Sequence, residues 1–220
     1  MAAQPREVNM KMLRLVTGTL GALGLVLFLG AGTARADCDS DTAIYDDDFE
    51  FLDTSWGAGN DQINVEDGAL VIHGSYGLVN MSTSNQTANV CVDMTITEAP
   101  VPDSSPIGLV WWWENWDNYY YMFYWAGADS LEIRRVVNGK SQNVAAVETL
   151  ALKKEVGQTN HVELQLKPKD ATILINGTQV ARFKGKPPKD GAPIGVYALS
   201  PDDKPATFSY DNLVVSPPSE

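Results

Sequence analysis

Residues Gly108 to Trp125 read GLVWWWENWDNYYYMFYW, which gathers five of the chain's six tryptophans and four of its eight tyrosines into one short stretch. Apolar runs on either side of the polar Glu114–Asn118 read as two strands joined by a turn. Strand side chains alternate between faces, and a sandwich buries one face of each strand against the other sheet. Leu109, Trp111 and Trp113, continued by Tyr119, Tyr121, Phe123 and Trp125, form a set suited to a core. Trp112, Tyr120 and Tyr124 then point the other way. Aromatics exposed together mark a contact surface. A flat aromatic face suits sugar rings, whose axial C–H faces are apolar; the plainer reading is a second layer of packing beneath a loop.

Outward from this stretch the chain keeps the same character. Asp67-Gly68 lies between Ile63–Glu66 and Ala69–Ile72, Asn138-Gly139 between Leu131–Val137 and Lys140–Val147, and Asn176-Gly177 between Thr172–Ile175 and Thr178–Phe183. Such pairs supply the positive φ angles of tight hairpin turns. Val90, Val92, Met94 and Ile96 alternate with Cys91, Asp93, Thr95 and Thr97, and Val162, Leu164 and Leu166 alternate with polar neighbours, so each run expects one wet face. No stretch past residue 36 has sustained helical periodicity, and no linker or repeat divides it. The expectation is an all-β chain, a two-sheet antiparallel sandwich of roughly twelve strands.

The first thirty-six residues read as a cleaved signal peptide. Arg6, Lys11 and Arg14 precede the apolar Leu15–Leu29, and Ala34-Arg35-Ala36 offers small residues at a cleavage site. The apolar run is short and glycine-interrupted for a span, which needs about 20 apolar residues. This leaves 37–215 as a single domain, with 216–220 as a frayed tail. The protein is expected to be exported, periplasmic or extracellular, with no membrane insertion after cleavage. Removing Arg6, Lys11, Arg14, Arg35 and Glu7 from 16 basic and 28 acidic residues leaves 12 and 27, a net charge of −15. So acidic a surface excludes nucleic acid as a partner, because phosphate binding needs a basic one. In an oxidising compartment the two cysteines, Cys38 and Cys91, are expected to pair.

The order of motifs carries a resemblance. Asp46-Asp47-Asp48-Phe49 is followed by Trp56 and by the hairpin Val65–Ile72. Then come Gly108-Leu109-Val110-Trp111 with Asp117-Asn118-Tyr119-Tyr120, Ile175-Asn176-Gly177, Ile194-Gly195-Val196-Tyr197 and Phe208-Ser209-Tyr210-Asp211-Asn212-Leu213. Over residues 45–215 this resembles the concanavalin A-like lectin/glucanase superfamily, in particular bacterial secreted domains of the laminin-G-like and carbohydrate-binding-module kind. The resemblance implies a jelly roll whose concave sheet carries the ligand site. It also implies a departure, since many relatives have an arginine where Trp112 stands. Fold alone does not choose an activity.

The candidate ligand-binding residues are Trp112, Tyr120 and Tyr124 as a stacking face, and Trp116, Glu114 and Asp117 on the turn. Arg134, rather than Arg135, is taken to share that face. No residue is assigned a catalytic role: glucanases resembling this fold supply Glu-x-Asp-x-x-Glu on one strand, which is absent, and Asp48-Phe49-Glu50-Phe51-Leu52-Asp53 lies on the wrong strand for it. Gly74-Ser75-Tyr76-Gly77 is not a nucleophile elbow. No cofactor is required. A structural calcium is one use for Asp47, Asp48, Glu50 and Asp211, where first and last strands meet. The leading expectation is an exported, lectin-like carbohydrate-binding domain. The alternatives are a glycoside hydrolase or lyase with a non-standard carboxylate pair, and a laminin-G-like protein-binding domain.

Overall fold

The computed structural model describes Cys38 and residues 40–218; the expected signal segment 1–36 lies outside the described residues, as do 37, 39 and 219–220. Among the described residues there are fourteen strands. They are β1 (Tyr45–Asp47), β2 (Ile63–Glu66), β3 (Ala69–His73), β4 (Tyr76–Asn85), β5 (Ala88–Glu98), β6 (Ile107–Asn115) and β7 (Asn118–Tyr124). Then follow β8 (Ser130–Val137), β9 (Lys140–Glu148), β10 (Thr159–Leu166), β11 (Asp170–Ile175), β12 (Thr178–Lys184), β13 (Ala192–Ala198) and β14 (Thr207–Ser216). The larger sheet runs β12-β11-β10-β5-β14-β3-β2, with β1 also paired to β14; the smaller runs β4-β13-β6-β7-β8-β9. All pairings are antiparallel. The protein is an antiparallel β-sandwich.

Local chemistry accounts for the turns. Asp67-Gly68, Asn138-Gly139 and Asn176-Gly177 all have positive φ at both positions, between 49° and 77°, as two-residue hairpin turns demand. Val90, Val92, Met94 and Ile96 face inward on β5, against Val162, Leu164 and Leu166 on β10 in the same layer. From the smaller sheet Leu109, Trp111, Met122, Ile133 and Val196 meet them in one core.

Two differences from the sequence expectation follow from tertiary contacts. The outward face around β5 is not wet throughout: Asn89, Cys91 and Glu163 are buried. The disulfide Cys38–Cys91 draws the entering chain onto this face, and Ile44 then donates from its N–H to the Val215 carbonyl at 2.7 Å. At the far end, β14 includes Ser216, which is buried opposite Asn89, so the ordered strand reaches one residue into the expected tail.

Two phenols cross the sandwich. Tyr124 on β7 donates to the Met94 carbonyl of β5 at 3.1 Å. Tyr210 on β14 lies 2.9 Å from the Tyr197 carbonyl and 3.2 Å from that of Gly108, sharing its proton between two strands of the smaller sheet. Burial drives both phenols to higher pKa, as expected where ionisation would leave a charge in the core.

Candidate functional site

The β6–β7 hairpin decides which aromatics face out. Asn115 pairs with Asn118, so the loop is the two residues Trp116 and Asp117. The Asn115 Oδ1 accepts from the Asp117 N–H at 2.9 Å and from Asn118 Nδ2 at 3.2 Å, a local turn-forming use of these side chains. The neighbouring β8–β9 turn is tied on, with Gly139 N–H donating to the Asp117 carbonyl at 3.0 Å. A two-residue loop sets odd positions of β6 opposite even positions of β7: Trp111 stands across from Tyr120, and Val110 across from Tyr121.

Residues directly opposite share a face, so the expected assignment of β7 is reversed. Tyr120 and Tyr124 are core residues, as is Trp112, which is 2% exposed. These three do not form an open stacking face. Conversely Trp113, Tyr119, Tyr121, Phe123 and Trp125, expected inside, lie together on the outer face. Trp112 accompanies Trp111 inward because of a bulge. Between the pairs Asn115–Asn118 and Trp111–Tyr120, β6 spends four residues where β7 spends two, and Trp112 takes φ 48° there. Its ring meets Tyr120 edge-to-face at 5.1 Å. It also lies so close to Gly185 that a Cβ there would sit 2.0 Å from Trp112 Cζ3.

The outer face carries a continuous ladder of rings. Trp113–Trp116, Trp116–Tyr119, Tyr119–Tyr121, Tyr121–Phe123 and Phe123–Trp125 follow at centroid distances of 5.8, 5.5, 5.4, 5.5 and 4.9 Å, with Tyr197 of β13 at 5.3 Å from Tyr121. Its middle is self-covered. Tyr121 and Phe123 are buried, stacked at 20°, and Arg134 lies 5.7 Å from the Phe123 ring centre with its guanidinium bonded to Glu132 at 2.7 Å. Burial, with the Tyr121 phenol second, pushes Tyr119 up to about 12. Only at one end does a large ring open to solvent: Trp116 is 44% exposed. Gly77 makes this possible, because a Cβ there would lie 3.0 Å from Trp116 Cη2.

Beside that end runs an open groove of about 650 Å³. Trp113 and Glu114 form one wall, Met81 and Ser84 of β4 another, and Lys189 and Asp190 of the β12–β13 connection close it. Met81 is 60% exposed, and the buried Trp113 Nε1–H has no acceptor among the described residues. Of the candidates, Glu114 lines the groove, Trp116 meets its Trp113 wall edge-to-face, Asp117 is exposed on the turn, and Arg134 is on the same outer face, with β6 and β7 between its strand and β13. Sequence reasoning missed Trp113, Tyr119 and Tyr197; hairpin parity would have found the first two. Met81 and Asp190 carried no signal of their own.

The acidic cluster at the strand termini has other work. Strand β1 does lie against β14, but Asp47 is used by the protein itself. Its Oδ2 accepts from the Tyr45 hydroxyl at 2.7 Å and Trp56 Nε1 at 2.9 Å, and its Oδ1 from the Phe49 N–H at 3.0 Å. Asp48 accepts from Glu50 N–H, and Asp211 from Asn212 N–H. Partial burial holds the Asp211 carboxyl above the usual carboxylate value, with Asp93 and Asp48 adding to it. Among the described residues no group of three or more His, Cys, Asp or Glu could hold a metal ion.

No protein-family model and no curated protein matches the chain. Solved structures do. The catalytic domain of an endo-1,3-β-glucanase (laminarinase) from Thermotoga petrophila aligns with a TM-score of 0.58 at 10% identity, covering 81% of this chain and 98% of that one. The κ-carrageenase from Zobellia galactanivorans gives 0.55 at 8% identity over 80% and 94%. Carbohydrate-binding module CBM66 from Bacillus subtilis gives 0.51 at 15% identity over 72% and 89%. At such identities the likeness concerns architecture alone, and by that architecture the chain is a jelly-roll β-sandwich.

Proposed function

We propose that the protein is an exported carbohydrate-binding domain whose glycan lies in the groove beside Trp113 and Trp116. The observation that carries this reading is the exposed Trp116 ring set edge-to-face at 5.8 Å on Trp113, which lines a groove together with Glu114, Ser84 and Asp190. Rings supply apolar contact to sugar C–H faces, and the carboxylates and hydroxyl accept or donate to sugar hydroxyls. Small-ligand sites combine an apolar wall with a few convergent polar groups in this way. The similarity in fold to a carbohydrate-binding module and to polysaccharide-degrading enzymes is consistent with it. The Cys38–Cys91 disulfide fits an oxidising, periplasmic or extracellular setting. A glycan array probed with the wild-type protein and with Trp116→Ala tests the reading. Binding that disappears with the ring supports it, and binding indifferent to the ring removes the site.

One observation favours a second reading. Glu114 and Asp190 line the same groove, and hydrolysis of a glycosidic bond uses two carboxylates, roughly 5 Å apart for retention or about 6.5–9.5 Å for inversion. Release of reducing ends from a bound polysaccharide, abolished by Glu114→Gln, would turn the binding domain into a hydrolase.

A further inference from the structure

Next to the groove, and sharing Glu114 with it, a recess of about 40 Å³ opens between Trp112, Tyr120, Arg135 and Lys186. At about 10–15 Å³ of such volume per water, it holds on the order of three waters or one small polar group. Two cationic side chains and an indole are among the residues that line it. The Arg135 guanidinium lies over the Tyr120 ring, 5.2 Å from its centre. The Lys186 backbone N–H donates to the Tyr120 hydroxyl at 3.2 Å, which fixes where this lysine enters. Trp112 is 2% exposed, and its Nε1–H has no acceptor among the described residues.

Neither Arg135 nor Lys186 has a carboxylate within 4.0 Å among the described residues, and these two line one recess together. In a chain of net charge −12, two unpaired cations converging beside an unsatisfied buried indole N–H make a local positive site. A buried donor without a partner is costly to fold, and an ionised acceptor gives it the strongest hydrogen bond available. Glu114 is the one carboxylate lining the recess.

We infer that this recess receives a single oxyanion substituent, a carboxylate or a sulfate, from a glycan whose neighbouring units lie in the groove, so that the ligand class is an acidic glycan. The inference rests on the carbohydrate reading of the groove. The net negative charge of the chain opposes a dense polyanion at long range, while a contact inside the recess is little screened. The fit is therefore to isolated acidic units among neutral ones.

Two measurements on the full chain test this separately. The first is a glycan array carrying uronate-bearing, sulfated and neutral forms of the same backbones. The expected result is a preference of roughly tenfold or more for one acidic form, about 1.4 kcal/mol, removed by Lys186→Gln or Arg135→Gln; which acidic form wins distinguishes carboxylate from sulfate. Equal binding of acidic and neutral forms overturns the inference and leaves the carbohydrate reading standing. The second is a titration with inorganic sulfate followed through the indole N–H resonances. A shift of one resonance, lost in Lys186→Gln, supports the recess as an oxyanion site even if no glycan binds, an outcome that overturns the carbohydrate reading instead. No glycan binding together with no sulfate response overturns both.

Discussion

The two faces of the smaller sheet are both crowded with rings, yet they use them differently. On the inner face Trp111, Trp112, Tyr120 and Tyr124 are packed into a core contributed by both sheets, with Tyr124 hydrogen-bonded across the sandwich. On the outer face Trp113, Trp116, Tyr119, Tyr121, Phe123 and Trp125 have no sheet above them and cover one another instead. Ring content alone thus does not mark a site. What marks it is the one place where the self-covering layer ends, at Trp116 over Gly77, and a groove begins.

Substitutions can test that contrast, and the largest effect belongs to the inner face. Trp112→Ala is expected to cost about 3–5 kcal/mol, as large-to-small core changes do, read from chemical denaturation. A cost under about 1 kcal/mol would mean that Trp112 is not core. Gly185→Ala reaches the same ring from the other side. The added methyl cannot occupy the position 2.0 Å from Trp112 Cζ3, so the ring or the β12–β13 connection must move, at about 1–3 kcal/mol; an unchanged denaturation midpoint would show that the connection yields freely. Tyr124→Phe removes the bond to the Met94 carbonyl and is expected to cost about 1 kcal/mol.

Smallest in stability is the outer end. Trp116→Ala should stay within about 0.5 kcal/mol while removing glycan binding, so that stability and binding separate on one face and not on the other. Alkaline titration of tyrosinate absorbance draws the same line without mutation. The outer Tyr119 ionises in the folded protein at about 12 rather than the ordinary 10.0, while Tyr124 and Tyr210 stay protonated until the sandwich opens. Because the folded state holds the Tyr119 proton more tightly than the unfolded chain, its contribution to stability is complete below pH 10 and is lost as pH rises towards 12. A Tyr119→Phe variant whose stability falls just as steeply over that interval would place the loss at the other phenols that burial raises, Tyr45, Tyr124, Tyr197 and Tyr210.

How much of this could be read from the chain follows from where the information sits. The turns Asp67-Gly68, Asn138-Gly139 and Asn176-Gly177 are local, since two residues and their φ preferences settle each, and the β-sandwich was readable from them and from the alternation in β5 and β10. The facing of β7 depended on whether the loop of the aromatic hairpin is five residues, as Glu114–Asn118 suggests, or two, as Trp116-Asp117 is. An odd difference in loop length moves every following side chain to the other face. The bulge at Trp112 was beyond local reading, since nothing in three consecutive tryptophans says which of them takes a left-handed backbone; Gly185, far along the chain, accommodates that choice. The hydrogen bonds of the acidic start were beyond local reading for a related reason, because the partners of Asp47 include Trp56 Nε1, nine residues on.

The phenols of Tyr124 and Tyr210 leave opposite sheets and end on main-chain carbonyls of the other. A carbonyl belongs to every residue type, so no side-chain replacement at Met94, Gly108 or Tyr197 deletes the acceptor. The alignment of one sheet over the other therefore depends on two donor positions and tolerates sequence drift at the acceptors. Chains related to this one can diverge widely across the sandwich and still hold the groove-bearing sheet in the same place.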